Sequence, residues 1–381
     1  MLTVAILMGA AFLTFFQPRL GRLTALMSFM FINKSAVITW LPGMFFSWIP
    51  FHPSLVFAFS LVAATAILYS REMDNKRAAM LILFCAGLIG FVGATHPFEL
   101  FFFLELMLFP AFYIILKEDP PAAFKYFGFM QISSVLVLAG LVGEGVISSI
   151  LLTIGFAIKM GLFPFHSWMP SSHSQAPFPL SALLSGAFVA CGAYGILRYS
   201  TTPLLVLPLG LISAAYGAFN ASAEKDIKKL LAYSTMSQMG LAAVALSTAS
   251  EVVVLFLAMH AIAKSSLFFS VGEIIKKLGI RNIHDLRVSS KTLIVAIGLS
   301  SLSLLGFPPL LGFLTEFQIF TAALAFSPVV GIILLFTIFP TALYVERLLS
   351  ILLKEHGIKV EATLPLLLAL LLIPGVIPWI I

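Results

Sequence analysis

The chain has 381 residues, of which 60% are hydrophobic and only 10% are charged, and its formal net charge is +6. A soluble domain of this length buries too little surface to hide so many apolar side chains. The composition therefore excludes a soluble protein and predicts a multi-pass protein of the cell (inner or cytoplasmic) membrane.

Apolar runs that are long enough to cross about 30 Å of hydrocarbon recur along the whole sequence. Because lipid offers no hydrogen-bond partner to a free backbone group, each run is expected to form a helix. The first run has neither the basic start nor the cleavage site of a signal peptide, so we interpret it as the first span. In chain order, the fourteen predicted spans are residues 2–16, 24–41, 51–70, 78–95, 97–116, 126–143, 145–165, 177–197, 203–222, 230–248, 251–275, 292–324, 328–345 and 363–381.

Two of these spans are interrupted. The seventh contains Gly161 and Pro164, and the twelfth, too long for one crossing, is broken at Gly306, Pro308 and Pro309. Interrupted helices are tolerated in lipid only where they line a polar cavity, and a matched pair indicates a transport site between inverted repeats. The alternative, that the prolines only kink two helices, does not account for their matched positions.

The interrupted spans are the fourth members of two five-helix groups, spans 4–8 and 9–13. An odd number of helices per group starts the two groups on opposite sides of the membrane, which gives inverted repeats. We therefore expect a single membrane domain over residues 1–381, because no soluble domain or linker is visible. Its predicted parts are N-terminal helices in 1–77, a first repeat in 78–198, a second repeat in 203–345 and a C-terminal helix in 346–381.

The basic residues between the spans are distributed unevenly. Arg198 is the only Lys or Arg in a connection that follows an even-numbered span. Connections on the inner side carry the excess of Lys and Arg, so this distribution predicts that both termini lie outside. Nucleic-acid binding is a poor alternative, because the charges occur in short, scattered loops.

A few ionisable residues fall inside the predicted spans, where each costs at least about 2.5–3.5 kcal/mol and is by default a functional candidate. Glu105 lies mid-span in FFFLELMLFP, and Lys159 lies one turn before the break in the seventh span. Desolvation makes a buried lysine release its proton readily, and a nearby carboxylate opposes that release. We hypothesise that Glu105 and Lys159 form a pair whose opening and closing switches Lys159 between holding and releasing a proton.

Further along, His260 and Lys264 are four residues apart in the eleventh span and so share one helix face. Two basic groups on one buried face disfavour each other's charge, which suits a relay. Glu316 follows the break in the twelfth span and is a candidate exit group toward the outside. Lys34 also lies in a predicted span, but an ammonium that extends to the membrane surface explains it as well as function does.

No metal or cofactor site is predicted. His166 and His173 flank a Trp-Met-Pro turn and have no third ligand nearby, and neither a phosphate-binding loop nor a nucleophile triad is present. Cys85 and Cys191 fall inside spans, where we interpret them as small apolar residues.

Several segments together resemble the antiporter-like membrane subunits of respiratory complex I, of Mrp cation/proton antiporters and of energy-converting hydrogenases. The combined resemblance covers about residues 78–345. It rests on FFFLELMLFP (101–110), IKMGLFPFHSWMPSSHSQAPFPLSALLSG (158–186), DIKKLLAYSTMSQMG (226–240), HAIAKSSLFFSVGE (260–273) and GFPPLLGFLTEF (306–317).

The resemblance implies fourteen helices, two inverted five-helix repeats and broken helices seven and twelve. It also implies site roles for residues at matching positions. Glu105 and Lys159 match the family's glutamate–lysine pair, and His260 with Lys264 matches the relay of the eleventh helix. Glu316 matches the terminal group of the twelfth helix. Secondary candidates are Lys228, which matches a loop lysine, together with Ser185 and His166.

The sequence departs from the family pattern in its eighth helix. Many members carry a lysine where this chain has Ala190, or a histidine where it has Ser185. A water wire past Ser185 could bridge the two half-channels. Alternatively, the halves are uncoupled and the subunit conducts weakly or not at all. The family's aspartate after the Trp-x-Pro turn is Ser171 here.

We therefore expect an ion-translocating subunit, most simply for protons, within a redox-driven complex similar to complex I or a membrane-bound hydrogenase. It would bind no redox cofactor or metal itself. Its expected partners are other membrane subunits, including further antiporter-like subunits, peripheral iron–sulfur redox subunits, protons or sodium ions, and lipid, but no nucleic acid. The alternatives are a subunit of an Mrp-type sodium/proton antiporter, a transporter of an organic substrate, and a non-conducting structural homologue.

Overall fold

The computed structural model describes residues 2–31, 36–41, 44–48, 52–352 and 362–373. Helices dominate this part of the chain. The helices and strands are α1 (Leu2–Phe16), α2 (Pro18–Ser28), β1 (Ala36–Leu41), β2 (Met44–Trp48), α3 (Pro53–Tyr69), α4 (Asn75–Gly93), α5 (Pro97–Leu116), α6 (Pro120–Val142), α7 (Gly145–Met160), α8 (Trp168–Gln175), α9 (Phe178–Leu183), α10 (Val189–Tyr199), α11 (Val206–Ala223), α12 (Ile227–Thr248), α13 (Ser250–Leu278), α14 (Lys291–Leu304), α15 (Leu311–Phe326), α16 (Pro328–Ser350) and α17 (Thr363–Leu370).

Within those residues, ten helical segments are long and apolar enough to cross a membrane. Three shorter apolar helices, α1, α14 and α15, add to them. The helices agree with the apolar runs of the sequence over most of the chain, since lipid requires each crossing segment to satisfy its own backbone. The prediction of a helical, multi-pass membrane protein is therefore confirmed.

The second predicted span, residues 24–41, is not one helix, and that prediction is wrong. Helix α2 ends at Ser28, and Ala36–Leu41 instead forms strand β1, which pairs antiparallel with β2. The run Val37, Ile38, Thr39 and Trp40 explains the difference, because β-branched and aromatic residues favour strands over helices. Lys34 and residues 374–381 of the last predicted span lie outside the described residues.

Both predicted interruptions are present. Helix α7 ends at Met160, where Gly161 adopts a left-handed φ of +68° and its N–H bonds to the carbonyl of Ile158 at 3.0 Å. Glycine suits this ending because it has no Cβ to clash in the left-handed conformation. The second break separates α14 from α15, and Gly306 again has a φ of +68°. The chain therefore interrupts the helical hydrogen-bond ladder at two places.

The centre of the protein is formed by α12, α13 and the helix that runs from Phe178 to Tyr199, whose residues are nearly all buried. This last helix contains a wider, π-type segment, Leu184–Phe188, between α9 and α10. Helices α6, α11 and α16 expose more of their apolar side chains and form the outer surface. The buried polar residues are thus concentrated on the central helices, away from lipid.

Helices α11 and α12 pack closely through glycines. A Cβ on Gly217 would lie 2.8 Å from the carbonyl oxygen of Tyr233 and 3.0 Å from the Cα of Ser237. A Cβ on Gly210 would lie 2.8 Å from the carbonyl oxygen of Gly240. The contact allows the Ser237 hydroxyl to donate to the carbonyl of Ala214 at 2.9 Å. Small residues that allow such backbone contact are a common basis of helix association in membranes.

We predict that Gly217→Ala destabilises the protein by about 1–3 kcal/mol, because the added methyl group meets backbone atoms that cannot move alone. Gly128→Ala is the matched control, since nothing lies within 4 Å of a Cβ at Gly128 in α6. Thermal unfolding in detergent should show a lower Tm for the first variant and an equal or higher Tm for the second. Equal Tm values for both variants would contradict the close contact.

Candidate functional site

Glu105 lies on α5 and is half-buried. Its Oε1 is sealed from solvent and has no hydrogen-bond partner within the described part of the chain. The carboxylate is close enough to Tyr126 and to Lys159 to interact with both electrostatically. No contact of 4.0 Å or less between Glu105 and Lys159 is found among the described residues. The two side chains are therefore neighbours, but they are not in direct contact.

Lys159 lies in the last turn of α7 and is fully buried. Its ammonium lies 3.7 Å from the Met130 sulfur and 4.6 Å from the centroid of the Phe188 ring. Cys191 is also within electrostatic range. A thioether is a weak acceptor and an aromatic face attracts a cation only moderately, so these partners hold the ammonium weakly. The end of α7 thus places a fully buried lysine beside a sulfur and an aromatic ring.

The π-type segment between α9 and α10 connects this region with the central helices. The Ser185 carbonyl lies 3.1 Å from His260 Nε2, and the Ser185 hydroxyl bonds to Thr235 at 2.6 Å. A Cβ on Gly186 would lie 2.8 Å from the carbonyl oxygen of Ala261, so this segment lies directly against α13. π-Type turns shift backbone groups out of the regular ladder and occur frequently at functional sites. Ser185 therefore links α12 to α13.

His260 and Lys264 are both fully buried on α13. The Lys264 ammonium donates to the Ser234 hydroxyl and, at 3.4 Å, to the Leu231 carbonyl, both on α12. His260 Nδ1 has no partner within the described residues, while its other ring nitrogen faces Ser185. The two side chains thus contact different helices although they are only one turn apart.

A second buried histidine belongs to the same region. His173 on α8 is fully buried and lies in electrostatic range of both Lys228 and Lys264. Its Nδ1 is 3.2 Å from the Ser172 hydroxyl, and its Nε2 has no partner among the described residues. The Lys228 ammonium donates to the carbonyl of Ala176, at the end of α8. Sequence reasoning considered His173 only as a metal ligand, because its distance from two lysines on other helices was not visible.

Glu316 on α15 receives a hydrogen bond from Gln238, whose Nε2 lies 3.3 Å from Glu316 Oε1. The same Gln238 nitrogen also donates to the Leu304 carbonyl at 3.0 Å, where α14 ends. A Cβ on Gly306 would lie 2.6 Å from Glu316 Oε2, and Tyr344 is near enough to interact electrostatically. The break between α14 and α15 therefore makes room for the carboxylate. Gln238 is a contact residue that sequence reasoning did not identify.

His166 lies apart from these groups. Its ring packs against Phe163 at 5.6 Å and Tyr216 at 4.9 Å between ring centroids, and it is half-buried. Ser171, at the position of the family's aspartate, donates to the carbonyls of Ser167 and Trp168 within its own turn. The described contacts connect neither residue with Lys159 or Lys264.

The central groups form a series of ionisable, hydroxyl and amide side chains. Ser185 contacts Thr235 and His260, Lys264 contacts Ser234, and Gln238 contacts Glu316, with His173 and Lys228 beside them. Such groups can accept, hold and release protons. The part of the chain that the structure describes contains no cluster of three or more His, Cys, Asp or Glu suited to a metal ion. Phe188, Ala190 and Cys191, which follow Ser185 in the chain, are fully buried, and none of them is a lysine or a histidine.

The chain is similar in sequence to subunits of known membrane complexes. Subunit M of the NADH-quinone oxidoreductase of Pseudomonas aeruginosa is 31% identical over 64% of this chain and 58% of that protein. Subunit M of the F420H2 dehydrogenase of Methanosarcina mazei is 29% identical over 72% of this chain and 69% of that protein. Matches to the curated relatives span from 33% to 69% of their lengths, and several span less than two thirds.

Among solved structures, a chain of the archaeal membrane-bound sulfane sulfur reductase superposes with a TM-score of 0.87. The match covers 99% of this chain and 94% of that one at 21% identity, so it shows a shared fold. The transmembrane family model described as NADH:quinone oxidoreductase/Mrp antiporter matches residues 143–341. Because this match takes in more than half of the chain, the protein belongs to the NADH:quinone oxidoreductase/Mrp antiporter family of transmembrane proteins.

Proposed function

We propose that the protein is the ion-translocating, antiporter-like subunit of a multi-subunit, redox-driven membrane complex, and that the ion is the proton. The observation that carries this proposal is the buried series centred on His260 and Lys264, which is fully enclosed by helices and joined to Ser185 and Ser234. Ionisable groups are expensive in a membrane protein, so a row of them indicates an ion path.

The proposed path begins at Glu105. A charge change in a neighbouring subunit would draw the Glu105 carboxylate toward or away from Lys159, whose ammonium lies against Met130 and Phe188. Lys159 would then release its proton toward Lys264 through water near Ser185. Glu316 would pass a proton to the outside, with Gln238 holding the carboxylate in place. Each residue of the path except Glu105 lies inside the segment matched by the family.

The finer architecture belongs to the same proposal. We propose two inverted five-helix repeats, the predicted spans 4–8 and 9–13, with the connections rich in Lys and Arg on the inner side. The two breaks after α7 and α14, each with a left-handed glycine, support the repeat. The uneven distribution of Lys and Arg supports the orientation.

The redox partner is supported by the names of the relatives. They are subunits of an NADH-quinone oxidoreductase and of an F420H2 dehydrogenase, and the structural neighbour comes from a respiratory complex. We therefore propose other membrane subunits, further antiporter-like subunits and peripheral iron–sulfur subunits as partners. A subunit of an Mrp-type antiporter, which moves sodium against protons without redox centres, is the less favoured alternative.

Purification from the native membrane in mild detergent tests the choice of complex. We expect subunits with iron–sulfur centres to co-purify, detected by mass spectrometry and by electron paramagnetic resonance after reduction. Recovery of small membrane partners alone, without any redox centre, would make the protein part of an Mrp-type antiporter.

We predict that Lys159→Ala and Lys264→Ala each lower proton flux by about tenfold or more, because each removes a group that relays a proton. Flux is measured with a pH-sensitive dye in liposomes that contain the isolated complex. Lys291→Ala, at the exposed start of α14, is the control and should leave the flux unchanged. If both lysine variants keep full proton flux, the flux of the complex does not pass through this subunit, which would then be a non-conducting homologue. If the flux requires sodium, the proposed ion is wrong.

We predict that Glu316→Gln impairs pumping while the Tm stays close to that of the unchanged protein. The amide keeps the size of the carboxylate and can still accept the bond from Gln238, but it cannot release a proton. Gln238→Leu should lower the flux by a smaller factor, because it misplaces Glu316 without removing it. Gln318→Leu, on an exposed position of α15, is the matched control. Normal pumping by Glu316→Gln would rule out this exit route.

A further inference from the structure

A groove near the N-terminal helices lies outside the proposed ion path. It is a cavity of about 500 Å³ between α2 and the end of α3. Three arginines line it, Arg19, Arg22 and Arg71, and the rest of its wall is apolar, including Leu23 and Leu68. The groove therefore combines a concentrated positive charge with a hydrocarbon surface.

Among the described residues, no ion pair neutralises the positive charge of the groove. No carboxylate oxygen lies within 4.0 Å of the three guanidinium groups in the part of the chain that is described. Glu72, the acidic neighbour of Arg71 in sequence, pairs instead with Lys276. Three like charges that share one cavity repel one another, and an anion placed between them would relieve that repulsion.

Arg22 is the most enclosed of the three. Its Nη2 donates to the carbonyls of Ser70 at 3.1 Å and Met73 at 3.5 Å, which fixes the guanidinium at the end of α3. Its Nε is buried and has no partner among the described residues. Burial, and then the charge of Arg71, lower the pKa of Arg22 below its ordinary value. A donor held in this way is ready to bind an acceptor that enters the groove.

The apolar wall of the groove favours an anion that carries a hydrocarbon chain over a small soluble anion. Helix α2 is amphipathic, and it exposes Leu20 at 48%, Leu23 at 55% and Met27 at 55% of their surface. Arg19, Arg22, Leu23 and Leu26 of this helix all line the same groove. Mixed basic and apolar side chains of this kind suit the boundary between lipid headgroups and acyl chains. A soluble phosphate would use the arginines but not the leucines. A phospholipid would use both, with its headgroup on the charges and an acyl chain along Leu23 and Leu68.

We propose that this groove binds the phosphate headgroup of an anionic phospholipid through Arg19, Arg22 and Arg71. Guanidinium groups match phosphate oxygens in pairs, and basic pockets between transmembrane helices bind such headgroups. Basic residues that only set topology need no groove, whereas Arg22 is half enclosed in one. The proposal does not depend on the ion path or on the type of complex.

A second cavity of about 270 Å³ adjoins the first. The two share Leu68 and Arg71, and the second also touches Ala362, Thr363 and Leu364 at the start of α17. A lipid bound at Arg71 would therefore lie where α2, α3 and α17 approach one another. Arg71 is the charged residue that lines both cavities, so it is the first to replace.

The test compares Arg71→Gln and Arg19→Gln with Lys76→Gln. Lys76 is exposed, lies in the first turn of α4 and does not line the groove, so it controls for the loss of one positive charge. Arg22 is left unchanged because its bonds to Ser70 and Met73 also support the fold. The purified protein, in the complex in which it is isolated, is titrated with phosphatidylglycerol, phosphatidylcholine or inorganic phosphate and examined by native mass spectrometry.

We expect the unchanged protein and Lys76→Gln to retain phosphatidylglycerol in preference to phosphatidylcholine. The Arg19→Gln/Arg71→Gln double variant should bind phosphatidylglycerol about 10- to 30-fold more weakly, since each basic residue contributes comparably to binding an anionic lipid. Three outcomes would overturn the proposal: equal retention of both lipids, equal binding by the double variant and Lys76→Gln, or displacement of the lipid by inorganic phosphate at similar concentration. Occupation of the groove by an acidic segment of another subunit, seen as the absence of lipid from the intact complex, would overturn it as well.

Discussion

A buried ammonium or imidazole needs hydrogen-bond acceptors, and regular helices have none to spare because their carbonyls are already used. In this protein the acceptors come from places where helices end or change their turn. The Ala176 carbonyl, which receives Lys228, follows α8, and the Leu304 carbonyl, which receives Gln238, ends α14. The Ser185 carbonyl, which faces His260, lies in the π-type segment. The breaks in the helices thus supply the hydrogen-bond acceptors that these buried polar side chains need.

Lys264 is the partial exception, and it shows the alternative solution. Its ammonium is held by the hydroxyl of Ser234 and, more distantly, by the carbonyl of Leu231 in the middle of α12. A serine side chain supplies an acceptor without breaking a helix, because its oxygen is additional to the backbone ladder. A side chain of α12 therefore supplies the acceptor for Lys264, whereas a helix end supplies the acceptor for Lys228. Helices α12 and α13 are thus each one continuous helix although both carry buried polar residues.

The main features of the fold could be predicted from the sequence because lipid imposes them. Apolar length determined most helices, and Gly161 and Gly306 located the two breaks. The pairing of strands β1 and β2 could not be predicted from apolar length, because a run of Val, Ile and Trp is equally apolar whether it forms a helix or a strand. The contacts of the candidate site were harder still. Gln238 was not recognised as a site residue, because its contacts lie 66 or more positions away on other helices. His173 was not recognised as a proton-relay candidate, because it is near lysines that belong to two other helices.

The same limit applies to the pair that opens the proposed path. The sequence indicated that Glu105 and Lys159 are both buried and of opposite charge, and it could not indicate how far apart they lie. The structure has them as neighbours without direct contact, with Lys159 turned to Met130 and Phe188. Their pairing and their role in transport remain a proposal that rests on this arrangement.

The surroundings of Lys159 have a further consequence for the speed of its response. A side chain that is held by strong, directional hydrogen bonds must break them before it can turn, and this creates an activation barrier. The sulfur of Met130 and the ring of Phe188 instead attract the ammonium through polarisable electrons, and such attraction changes gradually as the group moves. In the proposed path, these weak partners would let the Lys159 ammonium move in response to a small change in the local electric field with a low activation barrier.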